Sequence, residues 1–226
     1  MIKRNLVSVS LLFLTATGCN LQVMEGTNTD QGLLLGSDDC PQLLNNDYLK
    51  KLQGRWRKEC ADSDQDGVYA IQEVQIDCET LKSVIWEYDS DSSCAVAPLN
   101  GSYAEVKKLK FTKSRPELGY TSYNFDYTLS TLQMWTSVQA TVDTLNTGQA
   151  CYDSDPTAWV VNQYHEILGC SSLGNGAVCK GCTGMTILGL DDVSIPNRLF
   201  AGDTLAQVVE ANRDTTFSAG NFYKVE

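Results

Sequence analysis

The feature that most constrains this chain is alternation. In TSYNFDYTLS, Tyr123, Phe125, Tyr127 and Leu129 share one parity while Asn124, Asp126, Thr128 and Ser130 share the other. Successive side chains of an extended chain point to opposite sides, so the pattern describes a strand with one buried face. Comparable runs recur at GRWRKECA (54–61), VYAIQEVQIDC (68–78), LKSVIWEY (81–88), SYAEVKKLKFT (102–112), AWVVNQYHEIL (158–168), MTILGL (185–190), RLFAGD (198–203) and FYKVE (222–226). With residues 120–135 this makes about nine strands separated by Asp, Gly, Asn and Ser turns. Short connections favour antiparallel neighbours, and closing the sheet leaves no unpaired edge. The expected fold is therefore all-β, an antiparallel up-and-down barrel of about 8–9 strands, with a two-sheet β-sandwich as the alternative. One interruption is helical: Val138, Val142 and Leu145 fall at i, i+4 and i+7 within residues 136–149.

The amino terminus reads as an export signal, with Lys3 and Arg4 preceding the apolar run LVSVSLLFL. That run is too short to span a bilayer, which takes about 20 apolar residues. Ala16-Thr17-Gly18-Cys19 resembles the lipobox of bacterial lipoproteins, which implies that Cys19 becomes the acylated first residue of the mature chain. Ordinary secretory cleavage, leaving Cys19 as a free thiol, is the alternative. The lipoprotein resemblance further implies several acyl chains, enough for stable anchoring, and Asn20 after the cysteine implies sorting to the outer membrane. The organisation expected is a signal peptide (1–18), a polar tether (19–46) and one β-barrel domain (47–226).

Loss of residues 1–18 lowers Lys plus Arg from 17 to 15 against 28 Asp plus Glu, a net charge of −13. That balance argues against nucleic acid or an anionic membrane face as a partner, since either favours a basic patch. Nine cysteines become eight once Cys19 carries lipid: Cys40, Cys60, Cys78, Cys94, Cys151, Cys170, Cys179 and Cys182. An even number in an exported chain points to disulfides, and spacing alone leaves about 105 connectivities open. Zinc competes for Cys179 and Cys182, half of a C-x2-C site, but the chain has one histidine and no second such pair.

Several motifs together resemble a bacterial lipocalin-like lipoprotein group. They are Gly54-x-Trp56 with Cys60 on the same strand, YDSDSSC (88–94), Cys151, Trp159 and Cys170 after the helix, LFAGD (199–203) and the terminal Phe222-Tyr223-Lys224. The resemblance implies a calycin-type barrel, Trp56 plugging one end, disulfides Cys60–Cys94 and Cys151–Cys170, and a small hydrophobic or amphipathic ligand held in the barrel. An acidic, non-catalytic interaction or adhesion module is the alternative function.

Catalytic signatures are lacking. His165 is the single histidine, there is no G-x-S-x-G or H-E-x-x-H, and the Asp153/Asp155 pair sits in turn-like sequence. The chain is expected not to be an enzyme and to need no cofactor. One motif argues for a metal: DSDQDGVYAIQE (62–73) satisfies the calcium-loop pattern D-x-[DN]-x-[DN]-G-x5-E. Closing that loop needs a helix after Gly67, yet Val68, Ala70, Val74, Ile76 and Cys78 alternate with Glu73, Gln75 and Asp77 as a strand. Extended chain advances about 3.3 Å per residue, which puts Glu73 roughly 20 Å beyond Gly67. The expectation is an acidic hairpin tip whose only calcium ligands would be Asp62, Asp64 and Asp66.

Overall fold

The computed structural model describes residues 47–62, 67–115, 118, 120–170, 172, 180–191, 198–201 and 222–225. Cys19, the tether, Cys40, Asp64, Asp66 and Cys179 lie outside the described residues. A short helix α1 (Asp47–Leu52) leads into β1 (Gly54–Ala61), β2 (Val68–Asp77), β3 (Thr80–Asp89), β4 (Asn100–Ser114) and β5 (Thr121–Thr136). Helix α2 (Gln139–Thr147), the two-residue β6 (His165–Glu166), β7 (Thr183–Asp191), β8 (Arg198–Ala201) and β9 (Phe222–Val225) follow.

All pairings are antiparallel, running β4-β3-β2-β1-β9-β8-β7-β5, and β4 pairs with β5 to close the circle. Eight strands thus form a closed up-and-down barrel, and the sandwich alternative is set aside. β5 is long enough to serve two neighbours on one edge: Thr121–Thr128 pair with β7, while Gln133 and Met134 pair with β6. The expected strand over 158–168 is corrected to this short β6. Residues 158–164 carry no ladder; of their apolar side chains Trp159 is buried by irregular packing, while Val160 and Tyr164 are exposed.

The alternation works as the sequence implies. Phe125, Tyr127 and Leu129 are buried inside the barrel with Leu188, Leu190, Leu199 and Phe222 around them. Helix α1 closes this end. Tyr48 and Leu52, one helical turn apart, enter the same core. Tyr48 packs 4.6 Å from Tyr123 and 5.2 Å from Phe111, ring centroid to ring centroid, and its hydroxyl donates to the Leu188 carbonyl at 3.3 Å. Trp56 is fully buried beside it and donates from Nε1 to the Leu52 carbonyl at 2.8 Å, the end-plugging role that the resemblance implies.

Both disulfides implied by the resemblance are formed. Cys60–Cys94 ties the end of β1 to the loop after β3, and Cys151–Cys170 closes the segment between α2 and β7. Cys78 and Cys182 are disulfide-bonded as well, which removes Cys182 from any zinc site. Disulfides of this number belong to an oxidising, extracytoplasmic environment.

Candidate functional site

Register turns the barrel wall into layers. Ile76, Leu81, Val106 and Leu129 lie in one cross-strand row, and the next holds Trp56, Val74, Ser83, Ala104 and Leu132. Above them comes a row of different chemistry: Lys58, Gln72, Ile85, Ser102, Met134 and His165. The interior therefore grades from apolar at the α1 end to polar at the other. Polar groups taken from water are costly unless hydrogen-bonded. Gln72 accordingly donates from Nε2 to Ser83 Oγ at 3.2 Å, across two adjacent rows. Ala70, Ser83, Ser102 and Ala104 keep the wall here small in volume, and all four are buried.

The segment after β5 builds the rest of this end. Val142 from α2, the Cys151–Cys170 bridge, Trp159, Ile167 and Leu168 join the same buried cluster as the barrel wall. Asn146 on α2 fixes Trp159 from both sides: its Oδ1 accepts from the Trp159 backbone N–H at 2.8 Å and its Nδ2 donates to the Trp159 carbonyl at 3.0 Å. The indole N–H donates to the Ala150 carbonyl at 2.8 Å. So anchored, the indole stacks on the His165 ring with centroids 4.2 Å apart and planes 23° from parallel.

His165 is the centre of this arrangement. It is 3% exposed and pairs with inward-facing Met134, so its side chain points to the barrel side of β6. Nδ1 lies 3.7 Å from Asp155 Oδ2. The Asp155 carboxylate is itself fixed by Thr157, whose backbone N–H and hydroxyl donate to Oδ1 at 3.0 and 2.7 Å. Those bonds, from the Thr157 hydroxyl first, hold the Asp155 carboxyl below its ordinary range. Burial lowers the His165 pKa, and Asp155 opposes that shift only in part. The lowered pKa favours the neutral ring, and the Asp155 carboxylate on the Nδ1 side favours the tautomer protonated there. Nε2, buried, has no hydrogen-bond partner among the described residues.

The acidic turns are occupied locally. Asp91 accepts from the Ser93 hydroxyl and backbone N–H and from the Ala95 and Val96 N–H groups, which bring its pKa down to about 2. Asp62 Oδ2 accepts from the Gly67 N–H at 3.1 Å, closing the β1–β2 turn. Glu73 lies on the outer face of β2 with Arg55 at 2.8 Å and Arg57 at 3.1 Å. No cluster of three metal-ligating side chains occurs among the described residues.

Sequence reasoning singled out His165 only as the single histidine, within an expected strand. It missed the polar row, because membership depends on register. Compared with known proteins, the sequence matches no family model and no curated protein. Likeness to the calycin type accordingly rests on the closed eight-stranded barrel with its short helix after β5.

Proposed function

We propose that the protein is a non-catalytic binding module of the cell envelope, tethered by lipid on Cys19, that holds a small amphipathic molecule at the polar end of its barrel. The observation carrying this reading is the gradient of the interior: filled aromatic layers at the α1 end, small and polar side chains at the other. Small barrels of about eight strands can enclose one ligand, and a site with few polar groups on an apolar wall orients it. A nucleophilic mechanism needs a hydroxyl or thiol bonded to the imidazole; among the described residues Nε2 has no such partner and every cysteine is in a disulfide. Native mass spectrometry after mild extraction tests the reading. A co-purifying small molecule of one mass is expected, and its absence from several expression hosts overturns it.

The outer wall favours a second reading, the interaction module. Trp86 and Trp135 flank Gly101 in one row on the outside of β3, β4 and β5, with Tyr103 in the adjacent row. Tyr164 stands edge-on to Tyr103 and Trp135, 47% exposed. Burial, with Glu105 second, pushes the Tyr103 phenol up to about 12, so it remains a hydrogen-bond donor at any physiological pH. Trp86→Ala with Tyr164→Ala separates the readings: a surface partner is lost while the interior ligand is kept.

A further inference from the structure

We infer that Nε2 of His165 is the acceptor that fixes the ligand, and that the ligand is a small neutral alcohol or phenol, an O–H donor on an apolar body. This rests on the binding-module reading and names the chemistry of its site. A buried imidazole nitrogen without a partner is a rarity that an occupant explains, and here it lies in a built position. The Asp155 carboxylate lies 3.7 Å from the other nitrogen, Trp159 covers one ring face, and Met134 pairs with the residue across the ladder. With the proton on Nδ1, Nε2 offers a lone pair, so its partner must donate.

Charge narrows the class further. A cation brought to this buried nitrogen would be stripped of its water at a large cost. An anion would set its own lone pairs against that of Nε2. Ile85, Met134, Leu132 and Ile167 are the apolar neighbours in and next to the row, which suits a compact hydrocarbon body. A neutral hydroxyl on such a body satisfies every one of these conditions.

The chain has one histidine, so ring-15N labelling reports this site alone. Phenol is the probe and anisole, which lacks the donor, is the control, both titrated into the intact disulfide-bonded protein. A saturable phenol shift of the Nε2 signal, with Nδ1 nearly unmoved and anisole silent, is expected. His165→Phe should weaken phenol at least tenfold, and His165→Gln, whose amide oxygen accepts, should recover part of the loss. Equal shifts from anisole, or an Nε2 signal that phenol does not move because water alone occupies the position, overturn the inference. A co-purifying ligand retained undiminished by His165→Phe overturns it while leaving the binding-module reading intact. No ligand in any host and no phenol response remove both.

Discussion

Gly184 offers a sharp test of how full the lower barrel is. It sits on β7 directly opposite Tyr127 of β5. A Cβ there would lie 2.7 Å from the Tyr127 hydroxyl oxygen and closer still to two ring carbons. Two effects of opposite sign compete in Gly184→Ala. Replacing a strand glycine gains about 0.5–1 kcal/mol from reduced unfolded-state freedom. Overpacking a tight core costs about 1–3 kcal/mol. The ring has nowhere to go, being 1% exposed with Phe125 packed 5.4 Å away, so the upper part of the overpacking range applies. The net loss is about 2 kcal/mol, or roughly 4–8 °C in Tm for a domain of this size. Urea and thermal melts of the oxidised protein measure it. In a Tyr127→Leu background the same substitution should become neutral or stabilising, giving a coupling of about 2–3 kcal/mol. Gly148→Ala is the control, since its Cβ would meet nothing nearer than the Thr144 carbonyl oxygen at 3.4 Å. If Gly184→Ala is as stable as wild type, or is penalised equally without the Tyr127 ring, the packing argument is refuted.

Replacing both cysteines of a bridge by alanine should cost about 4 kcal/mol at Cys60–Cys94 and about 3 kcal/mol at Cys151–Cys170, in the order of their sequence separations, 34 and 19; denaturant midpoints give the comparison. His165 makes stability depend on pH with a determined sign. Because its folded pKa is lowered by burial, the unfolded chain binds the proton more readily, and stability falls as pH drops below about 6.5 until the folded pKa is reached; His165→Phe should remove that slope. Cys19→Ser should move the protein from the membrane pellet to the soluble fraction, since no described helix is long and apolar enough to cross a bilayer; continued pelleting would defeat the lipid anchor.

What the sequence made legible was burial, and burial coincided with strand wherever a ladder partner was available. On β5 the parity of Tyr123 to Leu129 maps directly onto the inner face. In AWVVNQYHEIL the same kind of pattern misled, because Trp159 and Ile167 are buried without a ladder over most of the segment. Asn146 and the Cys151–Cys170 bridge fold it against the barrel end. Hydrophobic spacing records which side chains leave water and is silent on whether the backbone bonds to a neighbouring strand. Helix α1 was missed for a different reason. Its signal is a single i, i+4 pair, Tyr48 and Leu52, in a helix of six residues, too short for periodicity to stand out. The polar row was beyond reach from sequence, since the β4–β5 register shifts between Glu105 and Val106. One residue of slip there would change which side chains of β5 face inward.

The calcium-loop motif shows the opposite case, where local pattern and wider context disagreed and context could be read in advance. Matching every required offset of that motif would be decisive only if a helix followed Gly67. Instead Val68–Asp77 form a strand whose ten residues pair in unbroken register with Asp89–Thr80 of β3, and extended chain cannot bring Glu73 back to the loop. The structure also shows what Glu73 does in its place. Two arginines two residues apart on β1, Arg55 and Arg57, each reach one of its oxygens, so the carboxylate is held across the outer face of the β1–β2 ladder. Gly67, at φ +87°, supplies the left-handed residue that the hairpin needs, and Asp62 supplies the acceptor for its N–H. The residues that spell a calcium site, as far as they are described, are thus used as turn and ladder residues. The decision lay in the alternation downstream of the loop, because a bidentate glutamate is a statement about backbone path before it is one about chemistry.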